Sequence, residues 1–256
     1  MQTYSVAFVE DNAEFRSFMN NELKQHFKHV YTAENGVQGI NLIKEKLPDI
    51  IISDVMMPEM DGFQLCKLIK SDIEISHIPV ILLTAANNES NINLGYKLGA
   101  DFYLTKPFDI ELLLAIIKNQ LKAKELIKQR YISSIIPLSA EEATSSNADE
   151  RFISKLNTLI QNNMNNPNLD VKFLTENMAM SRASLYNKLK AITGLGVNDY
   201  INKLRIEKAC YLLKNTVLNV TEIADETGFT SQRYFSTVFK QYTNLTPSQY
   251  RETNTI

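Results

Sequence analysis

Three carboxylates, a hydroxyl and an ammonium stand at the ends of four short apolar runs. Val6-Ala7-Phe8-Val9 leads into Glu10-Asp11, and Ile50-Ile51-Ile52-Ser53 leads into Asp54. PVILLTA carries Thr84, and DFYLTKP carries Lys106 and Pro107. A carboxylate such as Asp54 can attack phosphorus and become an acyl phosphate. The transition state spreads negative charge over the transferred oxygens, so the chemistry depends mostly on positioning and electrostatics. Mg²⁺ supplies much of that charge and takes hard oxygen ligands, commonly one or two carboxylates with waters and phosphate. Glu10 and Asp11 are the candidate metal carboxylates, helped by Asp54. Lys106 is a point-charge partner for one phosphoryl oxygen, and the Thr84 hydroxyl is a donor to another.

These groups need elements that bring them together. Each run is short, rich in β-branched or aromatic residues, and free of period-two alternation, the pattern of a strand buried on both faces of a parallel sheet. Ligand sites in such sheets form outside the carboxyl ends of the strands. The five groups are therefore expected in one crevice. Strands are expected near 4–10, 29–33, 49–54, 79–84 and 101–105, with helices near 12–27, 36–46, 62–71, 88–98 and 109–128. Asp61-Gly62 is a turn signal before the third helix and Gly99 a stop after the fourth. Five strands alternating with five helices predict an α/β doubly wound (βα)₅ domain over residues 1–128.

The stretch DVMMPEMDG and the residues around it resemble the response-regulator receiver domain. The resemblance implies that Asp54 is the phosphorylated aspartate and that Glu10 and Asp11 are the Mg²⁺-binding acidic pair. It adds the backbone carbonyl of Met56 as a further metal ligand. Thr84 and Lys106 match the phosphate-sensing pair, and Tyr103 matches the aromatic that moves inward with Thr84 on activation. Lys106-Pro107 matches a cis peptide, a form accessible essentially only to X-Pro. The alternative is a receiver that keeps the fold but no longer takes phosphate.

Composition sets the frame. The chain has 256 residues, 44% hydrophobic and 22% charged, ordinary globular values that suggest two domains. Cys66 and Cys210 lie far apart and suit a reducing compartment without a disulfide framework. His26, His29 and His77 show no ligand spacing. No apolar run approaches the roughly 18 residues of a membrane span, and the N-terminus is not a signal peptide. A cytoplasmic location without direct membrane contact is expected, with tethering at the inner membrane conceivable through a segment outside this chain.

The net charge of −2 conceals an asymmetry. Residues 1–125 carry 12 Lys/Arg against 17 Asp/Glu, a balance of −5, and residues 151–256 carry 13 against 8, a balance of +5. An acidic front and a basic back suggest a metal and phosphate module joined to a binder of polyanions. Between them, residues 129–149 lose all periodicity and read as a Ser/Ala-rich tethered linker. Residues 150–256 read as helices alone.

That all-α part contains an internal repeat. FLTENMAMSRASLYNKLKAITG and EIADETGFTSQRYFSTVFKQYTN both read as helix-turn-helix units. Leu174 and Ile223 correspond at an offset of 49, whereas Ser181/Ser231, Leu185/Phe235 and Leu189/Phe239 correspond at 50, so the second turn has one extra residue. Ser181 and Ser231 are credible N-caps. At about 100° per residue, Leu189 and Ile192 share the side of Leu185, and Ala183, Tyr186, Asn187 and Lys190 lie opposite. In the second unit Arg233, Ser236, Thr237 and Lys240 lie opposite Phe235, with Gln232 beside them. These faces mix hydrogen-bonding groups with cations and lack carboxylates, as a helix entering a major groove requires. A pair of plain solvated faces is the alternative.

IADETGFTSQRYFSTVFKQYTNLTPSQYR is similar to the signature of AraC-type DNA-binding domains. The resemblance implies two helix-turn-helix units in successive major grooves, joined by a long helix over 198–215. Asn244 stands where the family has glycine; Asn is the next residue in line for a left-handed C′ position. IKSDIEISHIPVILLTA and DERFISKLNTLI resemble the C-terminal part of hybrid two-component proteins, which join sensor, membrane span, histidine kinase, receiver and AraC domain and control polysaccharide-utilisation genes. That implies a histidine kinase partner, in cis or in trans, and double-stranded DNA with paired half-sites. Contact with RNA polymerase and homodimerisation on activation complete the expected partners. Two other classes compete. One is an Mg²⁺-dependent phosphotransfer enzyme, although Met56 stands where haloacid-type phosphotransferases place a second carboxylate. The other is a signalling adaptor that does not bind DNA.

Overall fold

The computed structural model describes residues 1–85, 99–133, 147–166 and 168–254. The expected helix 88–98 and most of the expected linker lie outside these residues. The chain divides into two units.

In the first unit, β1 (Ser5–Val9), β2 (His29–Ala33), β3 (Ile50–Asp54), β4 (Val80–Ala85) and β5 (Phe102–Lys106) form one parallel sheet in the order β2-β1-β3-β4-β5. The register pairs Val9 with Ser53 and Asp54 with Leu83, so the strand ends finish at one edge. Alternate residues serve opposite faces. Ala7, Val9 and Ile51 pack with Ile43, Leu65 and Ile69 from α2 (Gly36–Lys46) and α3 (Gly62–Ser71). Phe8, Ile52 and Leu83 pack with Met19 and Leu23 from α1 (Ala13–Lys24) and with Leu113 and Ile117 from α4 (Ile110–Ser133). Helices thus cover both faces, as expected for a doubly wound sheet whose strands lack alternation. Each large side chain buried this way contributes roughly 1.5–3 kcal/mol.

Gly62 opens α3 hard against the end of β3. A Cβ at this position would lie 2.1 Å from the Asp54 carbonyl oxygen and 2.9 Å from Val55 Cα. Gly62→Ala must therefore displace the backbone that carries Asp54. The expected loss is roughly 1–3 kcal/mol, the cost typical of overpacking, read as a lower midpoint in urea unfolding.

Among its described residues the second unit has helices and no strand. It contains α5 (Asn147–Asn162), α6 (Val171–Met178), α7 (Arg182–Thr193), α8 (Val197–Asn215), α9 (Val220–Glu226), α10 (Gln232–Thr243) and α11 (Pro247–Asn254). Two elements overrun the linker expected over 129–149. Helix α4 continues to Ser133, and α5 begins at Asn147 rather than 150. Ile127 and Tyr131, four residues apart on one helix face, join the second unit's core, with Tyr131 3% exposed and its ring centroid 6.4 Å from that of Tyr200. That burial keeps the helix going where the Ser-rich sequence reads as a break.

The repeat is visible in backbone detail. Ser181 Oγ accepts from Ser184 N at 3.0 Å, and Ser231 Oγ accepts from Tyr234 N at 3.3 Å. Both capped helices end in a left-handed residue, Gly194 at φ 75° and Asn244 at φ 61°. Their N–H groups donate to the carbonyls of Lys190 and Lys240, each at 2.9 Å. Leu185, Phe235, Leu189 and Phe239 are all fully buried.

Candidate functional site: an acidic crevice and two exposed helix faces

The crevice lies at the carboxyl ends of β1, β3 and β5. Carboxylate oxygens of Glu10, Asp11 and Asp54 lie within 4.8 Å of one another. Glu10 and Asp54 are buried and Asp11 is exposed. Lys106 reaches between the two buried carboxylates, with Nζ 2.8 Å from Glu10 Oε2 and 3.2 Å from Asp54 Oδ1. The same ammonium lies 4.9 Å from the centroid of the Phe15 ring. The Val55 N–H donates to Asp54 Oδ1 at 2.9 Å, which leaves the other carboxylate oxygen for chemistry. The Lys106-Pro107 bond is cis.

Thr84 lies on β4 and Tyr103 on β5. The Thr84 hydroxyl is 3% exposed and faces the Ala85 carbonyl at 3.4 Å. Tyr103 is 9% exposed and packs into the α2/α3 side of the core. The Met56 side chain is 68% exposed, in the loop that follows Asp54.

Sequence reasoning missed Arg16. Its Nη1 donates to the carbonyls of Glu10 at 2.7 Å and Asp11 at 3.1 Å, and its Nη2 donates to Glu34 Oε1 at 3.1 Å. Asn12 also escaped notice. It caps α1 by accepting from Phe15 N at 2.9 Å, and its own N–H donates to Glu10 Oε1 at 3.3 Å. The residue order EDNxxxR was the available signal: a cap directly after the acidic pair and a cation one helical turn further.

Burial is the largest influence on both inner carboxylates. It raises the pKa of Asp54, with Lys106 and the Val55 N–H acting the other way. It raises that of Glu10 too, opposed by the hydrogen bond from Lys106. A carboxyl whose folded pKa exceeds its unfolded one favours the fold below the unfolded pKa, and that benefit is lost as pH rises through the folded value. At neutral pH the cluster therefore costs stability. Asp54→Asn is expected to raise the Tm of the metal-free chain. Differential scanning calorimetry at pH 7 with a chelator checks this; an unchanged or lower Tm contradicts it. Hard oxygen donors converging on one point fit a small divalent cation. They would hold Mg²⁺ through Glu10, Asp11 and Asp54.

The second set of candidates lies on α7 and α10. Ala183, Tyr186, Asn187 and Lys190 are exposed along one side of α7, in a depression shared with Arg182, Gly196 and Asn198. Gln232, Arg233, Ser236, Thr237 and Lys240 line the matching depression on α10, with Gln241 and Thr246. Arg182, Gln241 and Thr246 were not anticipated. Arg182 opens its helix, where no preceding turn covers it, so angular reasoning from Leu185 does not find it. Lys190 Nζ donates to the Tyr186 hydroxyl at 2.9 Å, and the Thr221 hydroxyl donates to Gln232 Oε1 at 3.1 Å.

The basic balance of this unit is only partly on its surface. Lys188 is fully buried beside the Phe152 ring, and Lys203 is buried in an ion pair with Glu207 at 2.8 Å. Arg205 is buried as well. The field reaching a polyanion is thus set by fewer cations than the count of 13 implies.

Residues 6–118 match a family described as the response regulator receiver domain, and residues 174–253 match one described as a helix-turn-helix domain. Over 96% of its length the chain is 38% identical to histidine kinase P4 of Formosa agariphila, of which it spans only 18%. It is 27% identical to the transcriptional regulatory protein HptR of Staphylococcus aureus, over 88% of each chain. The receiver domain of Francisella response regulator 1452 is 30% identical, with a TM-score of 0.44, covering 47% of this chain and 98% of that one. Among the described residues no helix is long and apolar enough to cross a membrane.

Proposed function

The chain joins a response regulator receiver domain to an AraC-type helix-turn-helix domain, and from that premise we propose that phosphorylation of Asp54 controls its binding to DNA. The pairing makes it a two-component response regulator with a DNA-binding output. The observation that carries the proposal is Asp54 at the end of β3, with Lys106 at 3.2 Å and two further carboxylates beside it.

The step is a phosphoryl exchange. An Asp54 carboxylate oxygen forms a bond to phosphorus as the bond to the donor's leaving nitrogen or oxygen breaks, giving an acyl phosphate. Lys106 neutralises charge on one phosphoryl oxygen, and the Thr84 hydroxyl, turned from the Ala85 carbonyl, donates to another. Tyr103 fills the space that this turn leaves. Arg16 holds the Glu10-Asp11 backbone so that both carboxylates face the crevice. Mg²⁺, when bound by Glu10, Asp11, Asp54 and the Met56 carbonyl, offsets the charge that builds on the phosphoryl group. Water later cleaves the acyl phosphate, so the chain carries self-limiting phosphoryl chemistry without being an enzyme on other substrates. The donor is a histidine kinase, in the same polypeptide or another.

The output is double-stranded DNA bound through α7 and α10, with paired half-sites, a homodimer on activation and contact with RNA polymerase. The likeness to histidine kinase P4 supports an origin in a hybrid system; control of carbohydrate-utilisation genes and a cytoplasmic location rest on the resemblance of IKSDIEISHIPVILLTA and DERFISKLNTLI alone.

A gel shift with a duplex enriched from a random library, run across a salt series, tests the output. Affinity should fall steeply with salt. Lys240→Ala should weaken all sequences about equally and reduce the salt slope by about 1. Arg233→Ala should instead relax preference at particular positions by ~1–3 kcal/mol. Salt-independent or absent binding favours the adaptor reading.

A further inference from the structure

The second unit has two cores that meet on one helix. Leu204 of α8 belongs with Leu174, Leu185 and Leu189 in the first, and Ile206 belongs with Ile223 and Phe235 in the second. Arg205 stands between them, 9% exposed. Its guanidinium lies 5.6 Å from the centroid of the Phe229 ring, and its Nη2 is 3.4 Å from the Met164 carbonyl oxygen, to which it donates. Met164 belongs to the first half and Phe229 to the second. Among the described residues no carboxylate forms an ion pair with Arg205, although a charge taken out of water is ordinarily paired.

Gly228 closes the same contact. Its φ is +72°, and a Cβ there would lie 2.0 Å from the Met164 carbonyl oxygen and 2.8 Å from Arg205 Nη2. The turn of the second helix-turn-helix unit thus rests directly on the backbone of the first half. A second tie runs from the Tyr242 hydroxyl, near the end of α10, to the Asp199 carbonyl near the start of α8, at 3.0 Å. The two recognition faces belong to halves with separate interiors, joined through the continuous helix α8 and, among the described residues, by the Arg205, Gly228 and Tyr242 contacts.

We propose that Arg205, seated against Met164, Gly228 and Phe229, is a positioning residue that fixes the separation of α7 and α10 and so sets the base-pair spacing the domain accepts. The proposal rests on the reading that these two helices enter separate major grooves. Successive grooves repeat every 10–10.5 base pairs, so two inserted base pairs rotate one groove by about 70° relative to the other. A domain with a fixed span cannot follow that rotation without releasing one helix. Arginine suits the role because its planar fork stacks on a ring while it donates to a carbonyl, which the lysine ammonium does not reproduce.

The test uses the full chain with spin labels at Glu176→Cys and Ser248→Cys, exposed positions in the two halves, while Cys66 and Cys210 are buried. Double electron-electron resonance without DNA should give one narrow distance for the native Arg205. Arg205→Met and Arg205→Lys should broaden or displace it. In the DNA arm, a duplex enriched from a random library by the native chain is compared with the same duplex carrying two inserted base pairs between the contacted grooves. The native chain should lose about tenfold or more on insertion, and Arg205→Met should cut that penalty to about threefold or less, with base preference within each groove retained. Gly228→Ala should give the same two readouts by forcing the contact apart from the turn side, and Arg205→Lys, which keeps the charge and most of the volume, stands in if Arg205→Met melts below the assay temperature. Variants that keep both the native distance and the native insertion penalty overturn the proposal. If the native chain binds no DNA, the groove reading fails, and the distance measurement alone decides whether Arg205 holds the two halves.

Discussion

Asp54→Asn is expected to reduce phosphoryl uptake from acetyl phosphate or phosphoramidate by at least about a hundredfold, some 2.7 kcal/mol on the barrier. The native chain, incubated with Mg²⁺, should gain one phosphoryl group by intact-mass spectrometry. The asparagine amide is a poor nucleophile and leaves the surroundings intact, because Lys106 keeps its 2.8 Å pairing with Glu10. Loss of labelling would therefore come from a folded protein, and the higher Tm expected for this variant in chelator provides the control. Glu10→Gln combined with Asp11→Asn should instead keep Asp54 while removing most of the Mg²⁺ dependence. Equal labelling of Asp54→Asn and native protein would mean that phosphate goes elsewhere, and the assignment would fall.

Beryllofluoride, which mimics the acyl phosphate, is expected to raise the dimer fraction and to tighten binding to a paired operator by roughly 10²–10⁴. Binding to a single half-site should change by no more than about threefold. The reasoning is one of effective concentration: two tethered domains make the second binding event intramolecular, with no new contact required. The rival mechanism is masking, for which the charge balances of −5 and +5 offer an attraction. Sedimentation velocity separates the two. A monomer whose half-site affinity rises on beryllofluoride addition would establish masking and sink dimerisation.

The sheet and its acidic crevice were legible because they rest on short-range signals. Val6–Val9 and Ile50–Ser53 are short, β-branched or aromatic runs with the pattern of strands buried on both faces, and a parallel sheet brings their carboxyl ends together. Asn244 was readable for a related reason, since its left-handed conformation depends on the residue itself. What escaped depends on helix register and tertiary distance. Arg16 looks like any surface cation until α1 is placed so that its fork reaches the carbonyls of Glu10 and Asp11. Charge counting included Lys188, Lys203 and Arg205 in the basic balance, but each is buried. The linker boundary slipped because Tyr131 is followed by a Ser-rich stretch that argues for coil, while its burial argues for helix.

The separate interiors of the two helix-turn-helix halves bear on how such a regulator diversifies. Substitutions on α7 are absorbed by packing around Leu185 and Leu189, and those on α10 by packing around Phe235 and Phe239. A change of preferred bases in one half then need not disturb the other. Descendants of this chain are free to acquire new operators one groove at a time, like a two-dial lock whose dials turn independently on a common shaft.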